Sequence, residues 1–202
     1  MRLGLFGGSF DPIHLGHLLV AEEARDALRL DRVLFVPASR PPHKPGRALT
    51  PYTDRTRMVR LALRGNPGFE LAELERDAAR PSYTVETLRR LRAAPEPIDD
   101  LWLLLGGDSL EEIDTWREPE EIARLARLAV YPRPGWKAGF AAAASRVPPH
   151  AARWAEEGRL RFLDGPPIDL SATAIRERAA AGRSLRFLVP EPVRRFIVER
   201  GL

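Results

Sequence analysis

Short apolar runs alternate along the chain with stretches whose apolar positions recur every three or four residues. The runs at 3–6, 33–37, 101–105, 128–131 and 160–163, and a further segment at 69–74, predict β-strands. The run at 101–105 is apolar at every position and stops at Gly106-Gly107, which predicts a strand buried on both faces. Helical spacing predicts helices over 16–30, 53–64, 83–91, 119–127, 171–181 and 190–200. The second of these sets Met58, Leu61 and Ala62 on one side. Ser82 and Ser171, or a neighbour of each, stand where an N-cap belongs. Residues 38–51 hold four prolines and Gly46 and predict an irregular loop; the small, proline-bearing stretch 138–149 predicts another.

Strands alternating with helices imply a parallel sheet joined by right-handed crossovers. The expected fold is α/β: a Rossmann-like, doubly wound parallel sheet with helices on both faces, a single domain over residues 1–202. In such sheets ligands lie beyond the carboxyl ends of the strands, where the strand order reverses. Gly7-Gly8 and Gly106-Gly107 both fall at such ends and can face one crevice. After the first pair the chain reads Ser9-Phe10-Asp11-Pro12-Ile13-His14-Leu15-Gly16-His17. Glycines let backbone approach a ligand closely, and the free N–H groups of a helix start point at an anion. His14 and His17, three apart, can present both imidazoles to one phosphate chain.

Composition narrows the setting. The chain has 202 residues, 44% hydrophobic and 30% charged, enough for one sizeable core and ordinary for a globular enzyme. There is no cysteine, hence no disulfide framework and no thiolate zinc site. No run is long enough to span a bilayer, and Asp11 and His14 interrupt the start too early for a signal peptide. These features fit a cytoplasmic protein with no membrane partner. The net charge of +4 comes from 32 basic and 28 acidic residues. The arginines are scattered and paired with glutamates at helical spacing, as in Glu22-Glu23-x-Arg25, so solvated helix faces account for most of them. No aromatic and basic stripe of the kind that binds nucleic acid is present, and no nucleic-acid partner is expected.

Other segments each admit a plain structural role beside a chemical one. Arg40-Pro41-Pro42-His43-Lys44 can be a stiff solvated loop, or one that closes over phosphates. Thr84 follows Ser82-Tyr83 at a helix start, where capping alone explains the hydroxyls. Trp116 and Arg117 precede Pro119; an indole there packs as a staple or stacks on a flat ring. Asp108 can cap a helix or meet a ribose hydroxyl. Ser171, Thr173 and Arg176 open a late helix and can form an anion site, as can Arg133, held between prolines. His150 has no partner nearby in sequence and is read as structural or exposed.

Taken together these segments resemble the bacterial nicotinate-nucleotide adenylyltransferase family, part of the nucleotidyltransferase superfamily. The likeness rests on Gly7-Gly-Ser-Phe-Asp-Pro-Ile-His-Leu-Gly-His17, then Pro42-His43-Lys44, Ser82-Tyr83-Thr84, Gly106-Gly-Asp108-Ser109-Leu110, Trp116, Arg133-Pro-Gly135 and Leu170-Ser-Ala-Thr-Ala-Ile-Arg176. The first element is similar to the superfamily signature, and the middle elements point to nicotinate mononucleotide. One departure is Ala172, where the family's motif usually carries a second serine.

The resemblance implies AMP transfer from ATP to nicotinate mononucleotide, giving deamido-NAD and pyrophosphate in NAD biosynthesis. It implies catalytic roles for His14, His17 and Arg176. ATP contacts are implied at Gly7, Gly8, Ser9, Phe10, Gly106, Asp108, Ser171 and Thr173. Mononucleotide contacts are implied at His43, Lys44, Thr84, Trp116, Arg117 and Arg133. Mg2+ is expected to travel with ATP, held by phosphate oxygens and water and not by protein ligands. Two other readings remain beside this one. A phosphopantetheine adenylyltransferase shares the first signature but is usually shorter and lacks Trp116 with Ser82-Tyr83-Thr84. A non-catalytic basic domain binding RNA would lose that binding steeply with salt and turn over no ATP. The sequence leaves open whether the chain forms a homo-oligomer.

Overall fold

Alternation along the central strands sorts the core into two layers. The computed structural model describes residues 1–42, 48–77, 79, 81–132, 148–166 and 168–202. Its strands are β1 (Arg2–Gly8), β2 (Arg32–Pro37), β3 (Phe69–Leu71), β4 (Asp100–Gly106), β5 (Arg127–Tyr131) and β6 (Leu160–Phe162). They form one sheet in the order β3-β2-β1-β4-β5-β6, each neighbouring pair parallel. The order runs outward in both directions from β1 and β4, as a doubly wound sheet requires.

Phe6, Phe35, Leu104 and Tyr131 point to one face. There they meet α1 (Leu15–Leu28), α2 (Tyr52–Ala62), α7 (Ala172–Ala180) and α8 (Glu191–Arg200) through Ala24, Met58, Ile175 and Val193. Leu5, Leu34, Leu103 and Val130 point to the other face. That face is covered by α3 (Thr84–Arg92), α4 (Gly107–Glu111), α5 (Pro119–Leu125) and α6 (Pro149–Glu156) through Leu88, Leu110, Ile122 and Trp154. With both faces covered, the central strands read as near-continuous apolar sequence.

The expected fold is therefore observed, with local differences. Met58 and Val59 are the most deeply buried apolar side chains of α2, with Leu61 and Ala62 partly buried against the same cluster, and Arg55 is buried beside them. α1 ends at Leu28 because Arg29 turns left-handed, at φ 51°, and caps it. Ser82 does not cap α3, which starts from Tyr83; its hydroxyl accepts the Arg40 N–H instead, at 3.2 Å. β3 stops at Leu71, short of 74, because the chain turns away toward α3. α5 ends at Leu125, so that Arg127 can pair with Trp102 and open β5. Helix α6 was not foreseen. It begins with Pro149 in its first turn, a position where the missing N–H costs nothing, and buries Ala151 and Trp154 one turn apart. Most of the loop expected at 138–149 lies outside the described residues. No helix among the described residues is long and apolar enough to cross a membrane.

Candidate active site

Two connected clefts open at the carboxyl ends of β1 and β4, where the strand order reverses. The larger, about 320 Å3, is lined by the turn after β1, the start of α1, the β4–α4 turn and the start of α7. The smaller, about 190 Å3, is lined by the same β1 turn, the start of α3, Trp116 and Arg117. Gly7, Gly8, Ser9, Ser109 and Trp116 border both.

The β1–α1 turn is built to hold two imidazoles. Phe10 adopts φ 46° and turns its ring into the core, 2% exposed, against Phe6, Phe35 and the His17 ring 5.1 Å away. That side chain serves packing, and the turn's backbone faces the cleft. His14 is the N-cap of α1 and His17 the third residue of its first turn. The His14 backbone N–H donates to His17 Nδ1 at 3.2 Å, so the proton of a neutral His17 ring sits on Nε2. The two rings stack with centroids 3.6 Å apart. Gly16 between them fits a tight space: a Cβ there would lie 3.0 Å from His14 Nδ1 and from Ile168, and those side chains would have to shift.

Across the larger cleft Ser171 caps α7, its Oγ accepting the Ala174 N–H at 3.2 Å. Arg176 extends from that helix. It donates through Nη1 to the Asp11 carbonyl at 2.5 Å and through Nη2 to Thr173 Oγ1 at 3.1 Å. These bonds tether the guanidinium beside the histidine turn. Gly106 is the N-cap of the short α4, and Asp108, in its first turn, is exposed at the cleft. The alternative of Asp108 as the cap is thereby removed.

In the smaller cleft Thr84 is the first residue of α3, and Trp116 is half-buried after the 3-10 turn Ile113–Thr115. Arg117 lies over the Tyr83 ring at 4.9 Å and pairs with Glu118 at 3.4 Å. The start of α5, next in sequence to Trp116, is a poor anion site. It opens with Pro119, which has no N–H, and carries Glu118, Glu120 and Glu121 around its first turn. Of the helix starts near Trp116, that of α3 borders the cleft and has a first residue with an N–H; it carries one acidic residue, Glu86, in its first turn, with Glu75 in the same cleft wall.

The histidines, Arg176, Ser171, Thr173, Gly106 and Asp108 are thus gathered in one cleft, and Thr84, Trp116 and Arg117 in the other. His43, Lys44 and Arg133 lie outside the described residues. His150 lies outside the clefts. It has a partner 36 residues away in sequence, the Asp114 carboxylate at 3.1 Å.

Arg55 was missed. It is 1% exposed and donates to four backbone carbonyls: Ser9 at 2.6 Å, Thr50 and Ala38 at 2.9 Å, and Ser39 at 3.5 Å. It ties the turn after β1 to the chain leaving β2. Burial pulls its guanidinium below the usual arginine range, and the Asp11 charge opposes that shift. Asp11 is itself 3% exposed, with neither carboxylate oxygen hydrogen-bonded among the described residues. A signal was present in the spacing: Arg55, Met58, Val59 and Ala62 form one helical face. Glu75, at the smaller cleft, was also missed.

Among the described residues no cluster of three His, Asp or Glu side chains is arranged to hold a metal ion.

Comparison with known proteins agrees with this geometry. The cytidylyltransferase-like family model matches residues 5–178. A protein of Thermomicrobium roseum named "Probable nicotinate-nucleotide adenylyltransferase" is 44% identical over 201 residues, all of this chain and 91% of its own. One of the same name from Thermus thermophilus is 43% identical, over 100% of this chain and 99% of its own. Among solved structures, the nicotinic acid mononucleotide adenylyltransferase of Plasmodium falciparum complexed with NaAD superposes with a TM-score of 0.79. It covers 100% of this chain and 96% of its own at 16% identity, which bears on the fold alone. Motif, fold and full-length identity converge: the chain belongs to the cytidylyltransferase-like family and, within it, to the nicotinate-nucleotide adenylyltransferases.

Proposed function

We propose that residues 1–202 form one nucleotidyltransferase domain whose two clefts join ATP to nicotinate mononucleotide. The observation that carries this is the meeting of the clefts at Gly7–Ser9 and Trp116. One cleft is furnished for a triphosphate and the other for a flat ring with an anionic group. In this proposal the triphosphate lies between the His14 and His17 pair and the Ser171, Thr173 and Arg176 side. Adenosine rests against Gly106 and Asp108. The pyridine ring stacks on Trp116, and its carboxylate meets the start of α3 at Thr84.

The reaction needs no protein nucleophile. A phosphate oxygen of the mononucleotide attacks the α-phosphorus of ATP, the bond to the bridging oxygen breaks, and pyrophosphate leaves with the electron pair. The nucleophile is already ionised, so catalysis is alignment plus neutralisation of growing charge. His17 offers an Nε2–H, and Arg176 a planar fork held from two sides. Mg2+ enters as part of the ATP substrate.

The test is to mix protein, Mg-ATP and a panel of mononucleotides and to measure pyrophosphate. The nicotinate compound is expected to be turned over at least about tenfold more efficiently than the amide. The amide's NH2 would face N–H donors and leave buried polar groups unpaired, at about 1–3 kcal/mol each. Equal efficiency would overturn the assignment of the carboxylate to the start of α3. No pyrophosphate with any mononucleotide would overturn the function.

A further inference from the structure

Glu75 is an acidic side chain in the wall of the cleft assigned to an anionic ring, and no step above uses it. It stands on the connection between β3 and α3, half-buried. Thr87 Oγ1 donates to its Oε1 at 2.5 Å, and the Ser82 side chain faces it and favours its charged form. Ser82 is in turn bound to the loop after β2: its Oγ accepts the Arg40 N–H at 3.2 Å, and its own N–H donates to the Arg40 carbonyl at 3.0 Å. Arg90 fastens the adjacent turn by donating to the Leu74 carbonyl at 2.5 Å.

Two segments thus meet at one carboxyl group, the turn after β3 and the first turns of α3, and Ser82 joins them to the loop after β2. Thr84 lies between Ser82, which faces Glu75, and Thr87, which donates to it. Burial pushes the Glu75 carboxyl up, while its hydrogen bonds and Arg90 oppose that shift. The chain keeps a costly buried acid here in exchange for fixed geometry.

We propose that Glu75 is a positioning residue for the mononucleotide, clamping residues 82–87 so that the start of α3 presents its donors to the substrate carboxylate. This rests on the function proposed above. Glu75 acts through the α3 start, so its removal loosens the mononucleotide end and leaves the triphosphate cleft intact. Glu75 does not border the cleft that holds His14, His17, Ser171 and Arg176.

Three variants test the clamp. Glu75→Gln keeps an acceptor at the same place. Glu75→Ala removes it. Thr87→Val removes the donor at a residue that is 2% exposed and does not border the cleft, so it can act only from behind. KM for nicotinate mononucleotide is expected to rise about tenfold in Glu75→Ala and several-fold in Thr87→Val. It should stay within about twofold of wild type in Glu75→Gln, and KM for ATP should not move in any variant. Combining Glu75→Ala with Thr87→Val should add little to Glu75→Ala alone. An unchanged mononucleotide KM in both Glu75→Ala and Thr87→Val would overturn the proposal. So would equal rises in the two KM values, which would mark general loosening of the fold. Wild-type turnover is measured alongside: a silent wild type overturns the proposed function and this inference together, whereas an active wild type with indifferent variants overturns only the inference.

Discussion

Replacing Arg55 with methionine should cost stability out of proportion to the volume removed. Arg55 forms no ion pair with Asp11, although the Asp11 charge favours its charged form, and it supplies donors to the carbonyls of Ser9, Ala38 and Thr50 within 2.9 Å. Its Cζ also lies 5.5 Å over the Tyr52 ring. Methionine fills part of the space but donates nothing. Each orphaned carbonyl costs about 1–3 kcal/mol, though relaxation keeps such costs from adding. Several orphaned carbonyls together set the expected loss for Arg55→Met at about 2–5 kcal/mol. Lysine keeps the charge but cannot reach carbonyls arriving at both Nε and Nη1, so Arg55→Lys should lose an intermediate amount, about 1–3 kcal/mol. The assay is urea denaturation of wild type, Arg55→Met, Asp11→Asn and the double variant at neutral pH. In the Asp11→Asn background the Asp11 charge is gone, so Arg55→Met should cost less there by at least about 1 kcal/mol. Because Arg55 also fixes the Ser9 carbonyl, KM for ATP should rise in Arg55→Lys. Coupling below about 0.5 kcal/mol, the level at which distant sites merely add, would refute an electrostatic influence of Asp11 on Arg55.

Further expectations concern the cleft and the C-terminal helix. His17→Ala should keep its fold, by circular dichroism, and lose about a hundredfold or more in turnover; near-normal turnover at saturating ATP would remove His17 from the reaction. Arg176→Lys should fall well below wild type in kcat/KM for ATP, because an ammonium cannot reproduce a fork held at Asp11 and Thr173; unchanged constants in both Arg176→Lys and Arg176→Ala would make it a surface charge. On α8, hydrogen bonds from Arg194 and Arg195 lower the Glu191 carboxyl from 4.5 to about 2. A depressed carboxylate stabilises the fold above its unfolded pKa and loses that effect as the pH falls through the folded one. The stability difference between wild type and Glu191→Gln should therefore be present at neutral pH and shrink between about 4.5 and about 2. A gap that is constant across that range would show that the ion pairs contribute nothing; the pairs are exposed, so the gap is small and should narrow further in salt.

The sequence by itself determined the sheet and one end of the site. Continuous apolar runs such as 101–105, closed by glycine pairs, mark buried parallel strands because helices cover both faces. The turn from Gly7 to His17 was legible because the chemistry is local: a strand end, a glycine turn and a helix start lie within one short segment. Ser171 was legible as a cap for the same reason. What only the tertiary structure decided is long-range. The rings of His14 and His17 stack with Phe10 edge-on to His17 and with no side chain at Gly16 to crowd His14. Arg55 looks in sequence like one more helix-surface arginine, and becomes a buried tie once the loops after β1 and β2 close around it. Glu75 gains its partners from α3 and, through Ser82, from the loop after β2, none of which adjoins it in the chain. His150 finds Asp114 across 36 residues. Periodicity reports which face of an element is buried. It cannot report which distant polar group will stand opposite, because that pairing exists only after the sheet has brought the loops to one edge.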